Sequence, residues 1–225
     1  MKATRTPRVK ICCIGSVEDA ALAVEYGASA LGLVSHMPSG PGVISDELIA
    51  EIADTVPPAI GTFLLTSRQG VREIVEQQRS CRTNTIQICD HLTSGTHREL
   101  KQALPGIAVV QVIHVASPES VEEAAQVAPS VDAILLDSGN QKLAVKELGG
   151  TGRAHDWSLS RTIRERIGIP LFLAGGLTPE NVGRAIEEVG PFGVDVCSGV
   201  RTDGKLDAEK LGRFFAAVRR TAPLS

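Results

Sequence analysis

The stretch "PLFLAGGLTPENVGRAIEEVGPFGVDVC", residues 170–197, decides the fold. It begins with a short apolar run, "PLFLA" (170–174), and ends with a second one, "GVDVC" (193–197), and both predict buried strands. Between them lie a glycine turn and an amphipathic helix pattern, in which "TPE" places Pro179 at the predicted first helical position. Strands that alternate with helices in this way are typical of a parallel sheet covered on both faces.

The same alternation runs through the whole chain of 225 residues. Six further short runs predict strands: "RVKICC" (8–13), "ALGLV" (30–34), "AIGTFLL" (59–65), "TIQIC" (85–89), "AVVQVIHV" (108–115) and "AILLD" (133–137). Eight βα units in a chain of this length predict an α/β fold, a single-domain (β/α)8 TIM barrel. We expect residues 1–7 to be a flexible lead-in and residues 8–225 to form the barrel. A doubly wound open sheet is the alternative, although it usually needs fewer strands.

Helix start signals support this reading. Ser16 precedes a helix pattern and Asp19 follows three residues later, as in a capping box. "SPE" places Pro118 at a first helical position, and Asp156 before "WSLSR" is typical of an N-cap. The segment 45–56 has apolar residues along one helical face.

Composition excludes several classes of function. Net charge is −3 and no block of like charge occurs, so we expect no nucleic-acid or membrane partner. No apolar run approaches the roughly 18 residues of a membrane span. The five cysteines are an odd number in a chain without a signal peptide, which favours free thiols and a reducing, cytoplasmic location. The pair His155–Asp156 lacks a third ligand at suitable spacing, so no metal is expected.

Glycine turns follow three consecutive predicted strands. They are "GGTG" after the sixth, "AGGL" after the seventh and "CSGV" after the eighth strand. In TIM barrels the catalytic groups lie at these carboxyl ends, and phosphate sites commonly follow strands seven and eight. Since glycine lets backbone N–H groups approach a ligand closely, the three turns predict a phosphate site.

Two side chains at strand ends are candidates for chemistry. Asp137 closes the apolar run "AILLD", where a carboxylate is costly to bury unless it is paired or lies at an open mouth. Cys12 alternates with Lys10 on one face of the first strand, and that face is the better candidate for the barrel mouth. Cys13 falls on the other face, which favours a packing role. His114, at the end of the fifth strand, is more often structural than catalytic.

The motifs "VKICCI", "ILLDS", "GGTGRAHDW", "LAGGLTPENV" and "GVDVCSGVR" resemble, in order, those of the phosphoribosylanthranilate isomerase family of tryptophan biosynthesis. The resemblance runs from Lys10 to the final helix. It implies a cofactor-free barrel that converts a phosphorylated aminoaldose to an aminoketose. The Asp of "LLD", Asp137, would act as general acid at the ring oxygen, and the Cys of "KIC", Cys12, would remove the proton on C2.

By the same resemblance the substrate is a small phosphorylated aminosugar. The resemblance assigns its phosphate to Gly150, Gly152, Gly175, Gly176, Ser198 and Gly199. We also expect Lys10, on the face of Cys12, and Arg201, as a substitute cation, to bind the substrate.

The sequence departs from the family pattern around the second βα loop. That loop, "HMPSGPGVIS" (36–45), has Gly42 at the position where the family carries an Arg that lies at the substrate. Cys13 replaces a family Gly, Cys89 stands where His is usual, and "SGVR" with Arg201 replaces "SGVE". An anthranilate carboxylate needs cationic or donor groups. We expect Arg201, Arg153 or His36 to take over this role if anthranilate is the aglycone.

Three functions stay open on the sequence. The first is isomerisation of N-(5'-phosphoribosyl)anthranilate. The second is the same rearrangement of a different phosphorylated aminosugar. The third is a barrel that binds a phosphorylated metabolite without turnover, although such a protein would need neither Cys12 nor Asp137.

Overall fold

The computed structural model describes residues 6–139 and 156–221, and eight parallel strands form a closed barrel within them. The strands are β1 (Arg8–Ile11), β2 (Ala30–Val34), β3 (Gly61–Thr66), β4 (Thr85–Ile88), β5 (Ala108–His114), β6 (Ala133–Asp137), β7 (Leu171–Leu173) and β8 (Gly193–Val196). Each strand pairs with the next, and β8 pairs with β1 in a register that sets Ile11 beside Val196. This closure confirms the predicted TIM barrel and rules out the open sheet.

Helices connect the strands and surround the barrel. They are α1 (Val17–Glu25), α2 (Asp46–Thr55), α3 (Val71–Cys81), α4 (His97–Ala103), α5 (Glu119–Val127), α6 (Trp157–Arg166), α7 (Val182–Val189) and α8 (Ala208–Arg220). Short 3₁₀ helices follow α5 (Ala128–Ser130) and β8 (Ser198–Val200), and a small antiparallel pair, β9 (Arg201–Thr202) and β10 (Lys205–Leu206), precedes α8. No helix within the described residues is both long and apolar enough to cross a membrane.

Two of the predicted helix caps are present and two proline positions are wrong. Ser16 accepts a hydrogen bond from the backbone N–H of Asp19 at 3.2 Å, and Asp156 accepts one from that of Ser158 at 2.8 Å. Pro118 precedes the first residue of α5 by one position. Pro179 lies in a turn before α7, because Asn181 accepts a hydrogen bond from the N–H of Thr178 and donates to the carbonyl of Gly176. That side-chain turn delays the helix to Val182.

The first strand is shorter than predicted. It ends at Ile11, and Cys13 has a φ of 61°, in the left-handed region where a side chain is disfavoured. This backbone turn reverses the expected direction of the Cys13 side chain. Cys13 packs with residues of the barrel interior, whereas Ile11 packs with the helices. The predicted packing role for Cys13 on the helix side is therefore wrong.

Side chains that alternate along the strands build two cores. One lies between the strands and the helices, and the other fills the barrel. Near the amino ends of the strands, Phe172 makes edge-to-face contacts with Phe63 at 5.9 Å and with Phe192 at 5.5 Å between ring centroids. These rings fill the barrel interior below the side chains that lie near the carboxyl ends of the strands.

Glycine at position 193 makes room for this aromatic layer. A Cβ added there would lie 2.7 Å from two ring atoms of Phe172. We expect Gly193→Ala to lower the free energy of unfolding by about 1–3 kcal/mol, the usual cost of overpacking a core. Denaturant unfolding measures the change.

Gly168→Ala is the matched control, because a Cβ at Gly168 meets no atom within 4 Å. That variant should unfold with wild-type or slightly higher stability, since alanine restricts the unfolded chain. Equal losses in both variants would contradict the packing argument.

Candidate active site

A cavity opens at the carboxyl ends of the strands. Five of the predicted site residues line it: Cys12, Asp137, Gly175, Gly176 and Ser198. Its volume, with the open mouth included, is about 690 Å³, within the range of small-molecule sites. Gly150 and Gly152, together with Arg153 and His155, lie outside the described residues.

Asp137 is the last residue of β6 and points into this cavity. Its side chain is 8% exposed, and Oδ1 accepts a hydrogen bond from the backbone N–H of Ser138 at 2.7 Å. His114 pairs with Asp137 across β5 and β6, but it lies outside the cavity wall, with Nε2 3.1 Å from the carbonyl oxygen of Cys89. This placement fits the structural role expected for His114.

Cys12 continues β1 into the cavity, beside a glycine that leaves space for it. Its backbone N–H donates to the carbonyl of Val196 at 2.8 Å, which extends the pairing of β1 with β8. A Cβ on Gly32 of the neighbouring strand would lie 2.9 Å from the Cys12 sulfur and 3.0 Å from Nζ of Lys10. The predicted face of Cys12 and Lys10 is thus present, and Gly32 makes room for both side chains.

Lys10 lies below the cavity and does not line it. Its ammonium group is fully buried and donates to Oδ2 of Asp195, on the neighbouring strand β8, at 2.8 Å. Burial lowers the pKa of Lys10, but the attraction of Asp195 and of the neighbouring cysteines outweighs this effect and raises the pKa above its ordinary value. Lys10 is therefore not in the cavity wall, because its ammonium is fully buried against Asp195, and its predicted contact with the substrate stays a prediction.

Asp195 is a cavity residue that the sequence reading missed. It is 6% exposed and lines the cavity, and its second carboxylate oxygen, Oδ1, has no hydrogen-bond partner among the described residues. A buried carboxylate oxygen without a donor is costly, so this atom is a ready acceptor for a ligand hydroxyl. The signal was present in the sequence, since "VKIC" carries Lys10 and "GVDVC" carries Asp195, two opposite charges at inward positions of strands that a closed barrel makes neighbours.

The turns after β7 and β8 present backbone donors to the cavity. Within the described residues, no acceptor pairs with the backbone N–H groups of Gly175, Gly176, Ser198 and Gly199. Gly175 and Gly176 have φ values of 86° and 61°, which favour glycine. Gly199 lies behind the wall, where a Cβ would come within 2.0 Å of the Leu177 carbonyl oxygen, so glycine allows the two turns to pack closely.

Arg201 lies beside the cavity and holds two loops together. Its guanidinium donates to the backbone carbonyl of Cys13 at 2.6 Å and to that of Cys197 at 3.0 Å. It is not part of the cavity wall. The two carbonyl groups engage only part of the five N–H donors of the guanidinium, so the predicted substrate contact of Arg201 stays a prediction.

The second βα loop folds over the mouth without a cation. Met37, Ser39 and Pro41 line the cavity, whereas His36 is exposed and outside its wall. Gly42 has a φ of 80°, and a Cβ there would lie 2.4 Å from the Cβ of Cys13. The position aligned with the family Arg thus has no room for a side chain.

The described part of the wall is acidic. It contains Asp137 and Asp195 and no Arg, Lys or His. Cys89 lies in the wall with 1% of its surface exposed, and burial raises the pKa of its thiol, so it stays neutral. No group of three metal-ligating side chains occurs in residues 6–139 and 156–221.

Comparison with known proteins matches this chain to one family over nearly its whole length. The family model for N-(5'-phosphoribosyl)anthranilate isomerase matches residues 9–217. The enzyme of that name from Methanocella arvoryzae is 34% identical over 215 residues, which cover 95% of this chain and 99% of that protein. The enzyme from Haloarcula marismortui is 37% identical over 209 residues, 92% of this chain and 94% of that protein.

Solved structures give the same result. The phosphoribosylanthranilate isomerase of Thermotoga maritima superposes with a TM-score of 0.79 at 33% identity, with 95% of this chain and 99% of that chain covered. A phosphoribosylanthranilate isomerase in complex with reduced 1-(o-carboxyphenylamino)-1-deoxyribulose 5-phosphate superposes with a TM-score of 0.76 at 31% identity, with the same coverage.

The buried pair of Lys10 and Asp195 generates a prediction about stability. Lys10→Met leaves a buried carboxylate without its partner, and we expect it to lower the free energy of unfolding by about 3–5 kcal/mol. In Lys10→Met/Asp195→Leu no buried charge is left alone, so most of that loss should be recovered. Equilibrium unfolding in urea measures both variants.

Arg72→Met is the control, because it breaks a salt bridge to Glu76 that is fully on the surface. Exposed pairs of this kind contribute less than about 1 kcal/mol. A similar small loss for Lys10→Met would show that the buried pair is not needed.

Proposed function

The chain belongs to the N-(5'-phosphoribosyl)anthranilate isomerase family, and we propose that it isomerises N-(5'-phosphoribosyl)anthranilate with Asp137 and Cys12 as its proton-transfer groups. One observation carries the proposal: both side chains line a single cavity, and its rim presents backbone N–H groups that have no acceptor among the described residues. Such a site brings a carboxyl and a thiol to one substrate while the main chain binds its phosphate.

The reaction needs two opposed proton transfers. Asp137 gives a proton to the furanose ring oxygen, the bond from that oxygen to C1 breaks, and the nitrogen lone pair forms a C1=N double bond. The Cys12 thiolate then removes the proton on C2, and the electron pair moves to give an enolamine that tautomerises to the aminoketose. Each positioned proton-transfer group typically contributes about 10²–10⁴-fold to the rate.

The phosphate fits the rim formed after β7 and β8. The backbone N–H groups of Gly175, Gly176, Ser198 and Gly199 supply donors without placing a cation there, as in other anion sites built from main chain. Asp195 offers its unpartnered Oδ1 to a sugar hydroxyl. Lys10 acts on the site through Asp195, whose carboxylate it holds at 2.8 Å.

The aglycone end has one feature that favours the second candidate, a different phosphorylated aminosugar. The described part of the wall has two carboxylates and no cation to bind an anthranilate carboxylate. Of the substitutes expected from the sequence, Arg201 and His36 lie outside that wall and Arg153 lies outside the described residues. Turnover of N-(5'-phosphoribosyl)anthranilate against analogues without the carboxylate decides between these two substrates.

We propose a small phosphorylated molecule as the partner, and the expectation from the sequence that nucleic acid, membrane, metal and organic cofactor take no part stays a prediction. We also propose that the enzyme works in a reducing cytoplasm, since none of its five cysteines, which all lie in the described residues, forms a disulfide.

Cys12→Ala and Asp137→Asn should each lower kcat/KM by at least about 100-fold, because each removes one proton transfer. The assay follows the loss of fluorescence of N-(5'-phosphoribosyl)anthranilate. Cys81→Ala and Asp203→Asn are matched controls at a buried cysteine on α3 and an exposed aspartate beyond β9, and should keep near wild-type activity. Full activity of either site variant would overturn its assigned role, and no turnover by the wild type would move the substrate to the second candidate.

Gly42→Arg should not restore a carboxylate site. Its Cβ would meet Cys13 and its φ would be strained, so we expect a higher KM and lower stability than in the wild type. In the background of Cys13→Gly the contact with the Cβ of Cys13 is absent, and the penalty of Gly42→Arg should shrink. Steady-state kinetics and thermal unfolding of the single and double variants measure this coupling; a lower KM in Gly42→Arg alone would contradict it.

A further inference from the structure

Two cysteines that the proposed reaction does not use have their thiols in contact at the cavity. The Cys197 sulfur lies 2.7 Å from the Cys13 sulfur, and both cysteines are free. A disulfide bond has a length of about 2.03–2.05 Å, so the sulfurs need to approach by only about 0.7 Å to form one.

The backbone holds this contact in place independently of the sulfurs. Cys197 follows the last residue of β8, and Cys13 follows β1, the neighbouring strand in the closed barrel. The φ of 61° at Cys13 turns its side chain towards Cys197. Arg201 bonds the carbonyl groups of both cysteines, so the two loops cannot separate without losing both hydrogen bonds.

The two thiols differ in exposure and in pKa, as expected for a reactive thiol and the thiol that resolves it. Cys197 is half-buried, whereas Cys13 is 8% exposed. The hydrogen bond from Cys13 lowers the pKa of the Cys197 thiol against the effect of burial, with help from the Arg201 guanidinium. Hydrogen bonds with Cys12 and Cys197, together with burial, raise the pKa of Cys13. Cys197 is thus the more accessible of the two thiols and the one that loses its proton more readily.

We propose that Cys13 and Cys197 form an oxidation site, at which a hydroperoxide converts the two thiols into an intramolecular disulfide. The Cys197 thiolate attacks one peroxide oxygen, the O–O bond breaks, and hydroxide leaves, which gives a sulfenic acid on Cys197. The Cys13 sulfur then attacks the Cys197 sulfur, the S–O bond breaks, and water leaves with the Cys13 proton. The two sulfurs lose two electrons and the peroxide gains them.

The site lies next to Cys12 but leaves it reduced. Cys12 is 7% exposed and its sulfur adjoins Gly32 and Lys10, on the inner side of the cavity. Cys197 therefore meets an oxidant that enters from the mouth with a partner thiol already in contact. Where Cys12 is the base of the proposed isomerase, the pair protects it; this consequence alone rests on the proposed function.

The test uses the native, reduced protein and hydrogen peroxide at stoichiometric amounts. We expect the titratable thiols to fall from five to three, because two sulfurs are consumed, and peptide mapping to find one linkage, between Cys13 and Cys197. A reductant should restore all five thiols. A linkage that involves Cys12, over-oxidation of Cys197 without a disulfide, or five unreacted thiols would each overturn the proposal.

Two variants separate the roles of the thiols. In Cys13→Gly, which suits the positive φ at this position, Cys197 should stop at the sulfenic acid and be trapped by dimedone. In Cys197→Ser no disulfide should form, and the oxidised fraction of Cys12 should rise severalfold over the wild type. Cys81→Ala, away from the cavity, should give the wild-type linkage. These readouts are masses, so they stand whether or not the protein turns over N-(5'-phosphoribosyl)anthranilate. Wild-type protection of Cys12 in Cys197→Ser would overturn the protective role.

Discussion

The hydrogen bonding of β8 to β1 is the constraint on which the site depends. It closes the barrel, with Lys10 beside Asp195 and Ile11 beside Val196. Closure places the first and the last strand of the barrel side by side. Cys12 and Cys13 therefore lie next to Asp195 and Cys197, which come more than 180 residues later in the chain. An open sheet of the same strands would leave β1 and β8 on opposite edges, and neither the ion pair nor the contact between thiols could form.

Most of this fold could be predicted from local pattern, because each βα unit carries its own signal. Short apolar runs such as "AILLD" have strand bounds that match the structure, since a strand buried on both faces is apolar throughout. The errors occur where one side chain or one dihedral decides the local geometry. Asn181 delays the start of α7, and the positive φ at Cys13 ends β1 two residues early. Neither effect leaves a periodic trace in the sequence.

Only the site residues at strand ends and in glycine turns could be predicted from the sequence. These two signals place Cys12, Asp137, Gly175, Gly176 and Ser198 in one cavity wall. Alternation along a strand predicts that a side chain points inward, but it does not predict whether that side chain reaches the cavity. Lys10 faces inward as predicted, but it does not line the cavity, because its ammonium is buried against Asp195, which the sequence analysis did not identify.

The departures from the family pattern at Cys13 and Gly42 are linked, because the two residues contact each other. The resemblance noted in the sequence implies that the family has Gly at the position of Cys13 and an Arg at that of Gly42. In this chain a Cβ on residue 42 would lie 2.4 Å from the Cβ of Cys13, so only one of the two positions can carry a side chain. The exchange removes a cation from the second βα loop and places a thiol against Cys197. The loss at the aglycone end and the gain of the thiol pair therefore follow from the same packing, and a change in substrate preference would be coupled to the appearance of the oxidation site.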